Sequence, residues 1–112
     1  MFNTRTFPGY NKRANQYVTN EIMNASPEEL IMKVYDFAIV NSKKNNMLKT
    51  NEALQVLINA LNFEHPAARE ISAGLLKIYL HCQEQMRKQK NEEVTRILSD
   101  LKETWRIALQ NR

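Results

Sequence analysis

Apolar residues recur along most of the chain at the three- and four-residue spacing of amphipathic helices, and no stretch alternates apolar and polar positions as a half-buried strand does. The periodicity and its punctuation predict four main helices, over residues 26–45, 51–62, 66–89 and 91–110. Short connections place successive helices antiparallel. The sequence therefore predicts an all-α fold, an antiparallel four-helix bundle over residues 25–112, preceded by an N-terminal arm or short helix over residues 1–24.

The clearest local signal is the start of the first helix. Ser26 suits the N-cap, and Pro27 takes the first helical position, where its missing N–H costs nothing. Glu29, three residues after Ser26, completes a capping box. By similar reasoning, Asn91 is predicted to cap the fourth helix.

The second and third predicted helices are apolar on two sides, whereas the fourth has one main apolar stripe. The first stripes of the second and third helices are Leu54, Leu57, Ile58 and Leu61, and Ile71, Leu75, Ile78, Cys82 and Met86, respectively. Their second stripes are Val56, Ala60 and Phe63, and Ala73, Leu76 and Leu80, with Tyr79 between the two stripes of the third helix.

A four-helix bundle buries one stripe per helix, so the second stripes need a cover. Three covers are open: the N-terminal arm, through Tyr17, Ile22 and Met23; a second copy of the chain; or a different protein. The remaining alternative is an irregular bundle in which both stripes are core. Because the double stripe falls on consecutive helices, which are neighbours in space, the pattern favours a binding surface.

Composition fits one helical domain. The chain has 112 residues with only 2 Gly and 3 Pro, too few for a turn-rich β fold. The single cysteine, Cys82, excludes an internal disulfide, and nothing in the sequence marks a secreted, oxidised protein. No apolar run approaches the length of a membrane span, and the first residues lack the apolar core of a signal peptide. We therefore expect a cytoplasmic protein without membrane insertion.

Charge and candidate chemistry point away from nucleic acid and from catalysis. The net charge is +4, but 16 basic and 12 acidic residues are interspersed, which favours a solvated helical surface. His65 and His81 have no ligand spacing around them, and His81 and Cys82 are adjacent on a helix, so their side chains diverge. Asp36 is a lone carboxylate, for which a polar network or a contact with the arm is the favoured use. We expect neither enzyme activity nor a metal or cofactor.

Four segments of the chain have the spacing of one known family. The arm carries Tyr17, Ile22 and Ala25-Ser26-Pro27, and the first helix continues through Glu28-Glu29-Leu30-Ile31 to Tyr35-Asp36 and Ala38-Ile39. The third helix carries Glu70-Ile71, Leu75 and Ile78-Tyr79, and the fourth carries Leu101-Lys102-Glu103-Thr104-Trp105. Together these segments resemble the flagellin-export chaperone family, FliS. The chain departs from that family at Phe37, where glycine is common, and in its shorter second helix and basic charge.

The resemblance implies a cytoplasmic four-helix bundle that binds the C-terminal segment of flagellin, prevents premature polymerisation and aids delivery to the flagellar type III export apparatus. It also implies that the N-terminal arm changes position on binding and that its tyrosine region, matched here by Tyr17 and Ile22, helps to meet the export gate protein. The second stripes, with Tyr79, are the expected flagellin contacts.

Two other classes stay open on the residues alone. One is a basic helical bundle that binds nucleic acid, whose affinity would collapse with salt. The other is a structural bundle that associates with itself, which a mass measurement at micromolar concentration would reveal.

Overall fold

The computed structural model describes residues 26–111, and the architecture below is that of this part of the chain. It consists of four α-helices: α1 (Pro27–Lys43), α2 (Met47–Asn59), α3 (Pro66–Arg87) and α4 (Asn91–Gln110). No strand occurs among residues 26–111. The prediction of an all-α, four-helix fold is confirmed.

Side-chain contacts fix the directions of the first and last helices. The hydroxyls of Ser42 on α1 and Thr95 on α4 lie 2.6 Å apart. Nearer the start of α1, the Tyr35 hydroxyl accepts a 3.1 Å hydrogen bond from the Trp105 indole on α4. Residue numbers therefore rise along α1 as they fall along α4, so the two helices are antiparallel.

The two middle helices are antiparallel by the same reasoning. The Asn51 amide donates to the Gln83 carbonyl (3.2 Å), and the Gln83 amide donates back to the Asn51 carbonyl (3.1 Å). Beyond the end of α2, the Ser72 hydroxyl donates to the Asn62 carbonyl at 2.8 Å. The α2–α3 contact is the most extensive between helices, and α3 also packs against α4.

The core lies between the inward stripes of all four helices. Its buried apolar members are Tyr35, Ala38, Ala53, Leu54, Leu57, Tyr79, Cys82, Met86, Val94 and Leu98. Partly buried residues from the predicted stripes surround them, among them Ile58, Leu61 and Trp105. Thus the first stripe of α2, the first stripe of α3 from Leu75 onward and the main stripe of α4 contribute to the core, as the periodicity predicts.

The start of α1 has the predicted capping box. The Glu29 backbone N–H donates to the Ser26 hydroxyl (3.1 Å), and the Ser26 backbone N–H donates to a Glu29 carboxylate oxygen (3.0 Å). The chain divides into two units after Leu30. The described part of the first unit is residues 26–30, which contain this capping box. The second unit contains the helical contacts given above.

The start of α2 differs from the prediction. The helix begins at Met47 rather than near Asn51, because the Asn46 side chain accepts from the Lys49 backbone N–H and caps it. Thr50, read from the sequence as part of a connection, is fully buried in the first turns of α2. Its hydroxyl donates to the Asn46 carbonyl, so a polar residue sits in the interior with its hydrogen bond satisfied.

The cap of α4 is also different. The N-cap residue is Lys90, and it makes no side-chain capping bond. Asn91, predicted as the cap, is the first helical residue, and its amide instead donates to the Ser42 carbonyl on α1 at 2.9 Å. The prediction was wrong because a contact between distant helices outweighs a local one.

The α1–α2 and α3–α4 turns have the same backbone design. Asn45 and Gln89 adopt the left-handed conformation, with φ of 56° and 62°. The Asn45 N–H donates to the Ser42 carbonyl and the Gln89 N–H to the Met86 carbonyl. In both turns the backbone N–H of the next residue donates to the carbonyl five positions earlier, which is the Schellman arrangement. These turns end α1 and α3 two residues before the predicted limits.

Candidate partner-binding surface

The second stripes of α2 and α3 lie largely on the surface. Val56 is 52% exposed and Leu80 is 49% exposed, and Phe63, in the connection after α2, is also exposed. Ala60 and Ala73 are exposed, and Leu76 is partly buried. For this part of the chain, the alternative in which both stripes are plain core is wrong, and an apolar surface remains.

Tyr79 differs from the other residues predicted to contact a partner. Only 2% of its surface is exposed, and it belongs to the core. Its hydroxyl lies 2.6 Å from that of Tyr35, and their ring centroids are 6.5 Å apart. In this structure Tyr79 therefore presents no surface to a partner, because its aromatic ring completes the α1–α3 packing.

A polar ladder joins α2 to α3 beside the second stripes. It consists of the reciprocal Asn51–Gln83 pair, a 3.4 Å contact from the Gln83 amide to the Gln55 side chain, and a 3.0 Å hydrogen bond from Gln55 to Asn59.

The ladder indicates which way the second stripes point. Successive helical residues point about 100° apart. Leu54 points into the core and Gln55 towards α3, so Val56 points outward and away from α3. The exposed apolar surface therefore forms one strip on each helix, with Val56 on α2 and Leu80 on α3. Leu76, seven residues before Gln83, lies on the side of α3 that faces α2.

Ile71 was predicted in the core stripe of α3 but is 66% exposed. Its neighbour Ser72 donates to the Asn62 carbonyl in the connection after α2, so Ile71, about 100° further round the helix, points away from α2. Ile71 thus adds to the exposed apolar surface of α3.

Other large apolar side chains are exposed outside the stripes of α2 and α3. They include Phe37 and Val40 on α1, Met47 and Leu48 at the start of α2, and Ile107 on α4. The exposure of Phe37 and Val40 agrees with helical periodicity. Ala38, Asn41 and Ser42 take the buried face of α1, which leaves these two residues on the other side.

The polar surface contains two contacts between neighbouring helices. Lys102 on α4 forms an ion pair with Asp36 on α1. Of the two uses expected for Asp36, this is the polar one. His81 Nε2 on α3 lies 2.8 Å from a Glu93 carboxylate oxygen on α4, and the Gln85 amide donates to the other oxygen at 3.1 Å. The hydrogen bonds with His81 and Gln85 lower the pKa of Glu93 from its usual value.

The thiol of Cys82 has the environment of a structural residue. It is fully buried, and burial, with the negative charge of Glu93, raises its pKa to about 12. A thiol with so high a pKa holds almost no nucleophilic thiolate near neutrality. Its helical neighbour His81 is directed to Glu93.

Residues 26–111 contain neither a cluster of metal ligands nor a membrane-spanning helix. Within them, no group of three or more His, Cys, Asp or Glu side chains has the geometry to hold a metal ion. None of the helices described there has both the length and the apolar character that crossing a membrane requires.

Comparison with known proteins places the chain beside one family. The family described as flagellar protein FliS matches residues 10–112, which includes all four helices and part of the preceding segment. No curated protein and no solved structure matches the chain.

Proposed function

Since the chain belongs to the flagellar protein FliS family, we propose that it is an export chaperone for flagellin. In this proposal it binds the C-terminal segment of flagellin, prevents premature polymerisation of that subunit and aids its delivery to the flagellar type III export apparatus. It acts in the cytoplasm and uses no cofactor.

The observation that carries the proposal is the pair of exposed apolar strips on α2 and α3. A bundle of this size has a complete core without Val56, Phe63 or Leu80, yet these large side chains lie on the outside. Burying one such side chain fully contributes about 1.5–3 kcal/mol, so several shallow contacts can add up to firm binding. A partner that lies across the helices gains this energy without a deep pocket.

The shape of the strips suits a partner that is extended or helical. A partner helix with apolar residues three and four positions apart can lie along one helix of the bundle and bury one strip. A second segment of the same partner can then bury the other strip, on the far side of the polar ladder. A segment that folds as it binds loses conformational entropy, which makes a long contact necessary.

The N-terminal arm belongs to the proposal through its sequence. Tyr17, Ile22 and Met23 lie outside the described residues. The proposed role of Tyr17 and Ile22 rests on the family spacing, and that of Met23 on its apolar character within the arm. We propose that the arm moves when flagellin binds and contributes to the contact with the export gate protein.

The test is co-elution of the chaperone with flagellin and with flagellin that lacks its C-terminal segment. The double variant Val56→Asp with Leu80→Asp places a charge in each strip at positions that are half exposed, so the bundle is expected to fold. It should lose flagellin binding, whereas wild type should bind only the complete flagellin.

The matched control is Val40→Asp with Ile107→Asp, which adds the same charges at exposed apolar positions on α1 and α4. It should keep flagellin binding. Equal loss in both double variants, or equal binding of the shortened flagellin, would contradict the proposal. A dimer of wild type that both strip substitutions dissociate would instead identify a second copy as the occupant.

A further inference from the structure

The two Schellman turns lie side by side at one end of the bundle. Asn91, which follows the α3–α4 turn, donates to the carbonyl of Ser42, which precedes the α1–α2 turn. Ser42 also contacts Thr95 through its hydroxyl. These bonds join segments that are 49 residues apart in sequence, so the positions of the turns are fixed relative to each other.

Six exposed cationic side chains flank these turns. They are Lys43, Lys44 and Lys49 at the first turn, and Arg87, Lys88 and Lys90 at the second. Arg87 is paired with Glu84 at 2.9 Å, and Lys90 lies in the field of Glu93.

Four of these cations have no carboxylate partner within residues 26–111: Lys43, Lys44, Lys49 and Lys88. Glu52 on α2, Glu84 on α3 and Glu92 in the first turn of α4 are the exposed acidic residues nearby in sequence. Glu84 pairs with Arg87, and none of the three forms an ion pair with the four lysines. The end of the bundle therefore keeps an excess of positive charge.

Two large apolar side chains stand among these lysines. Met47 is 42% exposed and Leu48 is 66% exposed, in the first turn of α2. They follow directly on the α1–α2 turn, with Lys44 before them and Lys49 after them. Exposed apolar side chains within a cluster of lysines are the combination with which proteins bind an anionic lipid surface from outside.

We propose that this end of the bundle is a docking surface for an anionic membrane, with the lysines at the lipid phosphates and Leu48 and Met47 at the boundary of the acyl chains. Five of the six cations are lysines, which act as mobile point charges, whereas recognition of protein carboxylates favours the planar fork of arginine. No aromatic residue lies in the two turns to stack on bases. The contact is peripheral and independent of flagellin binding.

The test is sedimentation with vesicles of phosphatidylglycerol and phosphatidylcholine in equal parts, compared with vesicles of phosphatidylcholine alone. The protein should bind the first and not the second, and binding should weaken as salt is added. The variant Lys44→Gln with Lys88→Gln should reduce partitioning about tenfold or more, given the contribution of each lysine near an anionic surface. Leu48→Gln should reduce it several-fold with the charge unchanged.

The matched control is Arg69→Gln with Lys77→Gln, which removes the same charge from α3 away from the turns and should leave partitioning near that of wild type. Far-UV circular dichroism checks that all variants are folded. Equal binding to neutral vesicles, or equal loss in the control, would overturn the proposal. So would loss on removal of the lysines with no effect of Leu48→Gln, because that result identifies a general anion contact, as with an acidic protein or a nucleic acid.

Discussion

The hydroxyls of Tyr35 and Tyr79 lie 2.6 Å apart inside the bundle, although the two residues are 44 positions apart in the sequence. Trp105, on a third helix, donates its indole N–H to the Tyr35 oxygen. Each hydroxyl is therefore satisfied by a side chain from another helix. The three residues connect α1, α3 and α4 through one polar contact within an apolar core.

Tyr35→Phe should be more destabilising than Tyr79→Phe. Loss of the Tyr35 oxygen removes both its bond with the Tyr79 hydroxyl and its bond from the Trp105 indole, and leaving a buried polar group unsatisfied costs about 1–3 kcal/mol. Tyr79→Phe leaves the Trp105 bond in place. Urea denaturation of both variants and of the double variant measures the effects, which should not be additive. Equal single-variant effects would contradict the shared role of the Tyr35 oxygen.

Stability should decrease in alkaline solution. Burial raises the pKa of the Cys82 thiol to about 12 and also raises the pKa values of Tyr35 and Tyr79. Unfolded cysteine and tyrosine lose their protons at about pH 8.5 and 10, so above pH ~8.5 the unfolded state binds fewer protons than the folded one. The stabilising difference is present below these unfolded pKa values and is lost as the pH rises towards the folded ones.

Denaturation midpoints measured at increasing pH check this expectation. Cys82→Ala lowers stability at neutral pH because it removes a buried side chain, but it should reduce the decline that begins near pH ~8.5. A decline with unchanged slope in that variant would show that the thiol does not contribute.

Gln89→Gly should stabilise the protein. Gln89 is left-handed, with φ of 62°, a conformation that costs a residue with a Cβ roughly 1–2 kcal/mol and glycine little. Glycine loses part of this gain through its greater freedom in the unfolded chain, so an increase of up to about 1 kcal/mol is expected in the free energy of unfolding. Gln89→Ala is the control, since it keeps the Cβ. Asn45→Gly should gain less, because asparagine tolerates this conformation better.

Ser26→Ala should lower the free energy of unfolding by roughly 0.5–2 kcal/mol, because it removes the hydroxyl that accepts from the Glu29 backbone N–H. Ser26→Thr keeps an equivalent oxygen and serves as the control. Thermal or urea denaturation provides the measurement. An unchanged midpoint for the alanine variant would mean that the start of α1 does not contribute to the stability of the bundle.

Local signals in the sequence predicted much of the fold, and the misses share one cause. The capping box at Ser26 and the apolar stripe that includes Leu54 and Leu57 involve neighbours along one helix, so their spacing is visible in the sequence. The burial of Thr50, the exposure of Ile71 and the contact from Asn91 to Ser42 depend on which helix end meets which.

The same distinction between local signals and contacts between distant segments applies to the surfaces. The stripes that include Val56 and Leu80 could be predicted, because helical periodicity assigns each residue to a face. The polar ladder between them could not, since it depends on the register of α2 against α3. The lysines of the two turns also become one group only when Lys44 and Lys88 are brought to the same end of the bundle by the antiparallel arrangement.

The bond between Trp105 and Tyr35 spans 70 residues, and this distance bears on how the protein is made. During translation α1 leaves the ribosome long before α4 exists, so the polar centre of the core waits for the end of the last helix. A nascent chain that has not reached Trp105 leaves the Tyr35 hydroxyl without its indole donor. The interior of this bundle therefore acquires the hydrogen bond that joins its first and last helices only after the far turns of α4 have been made.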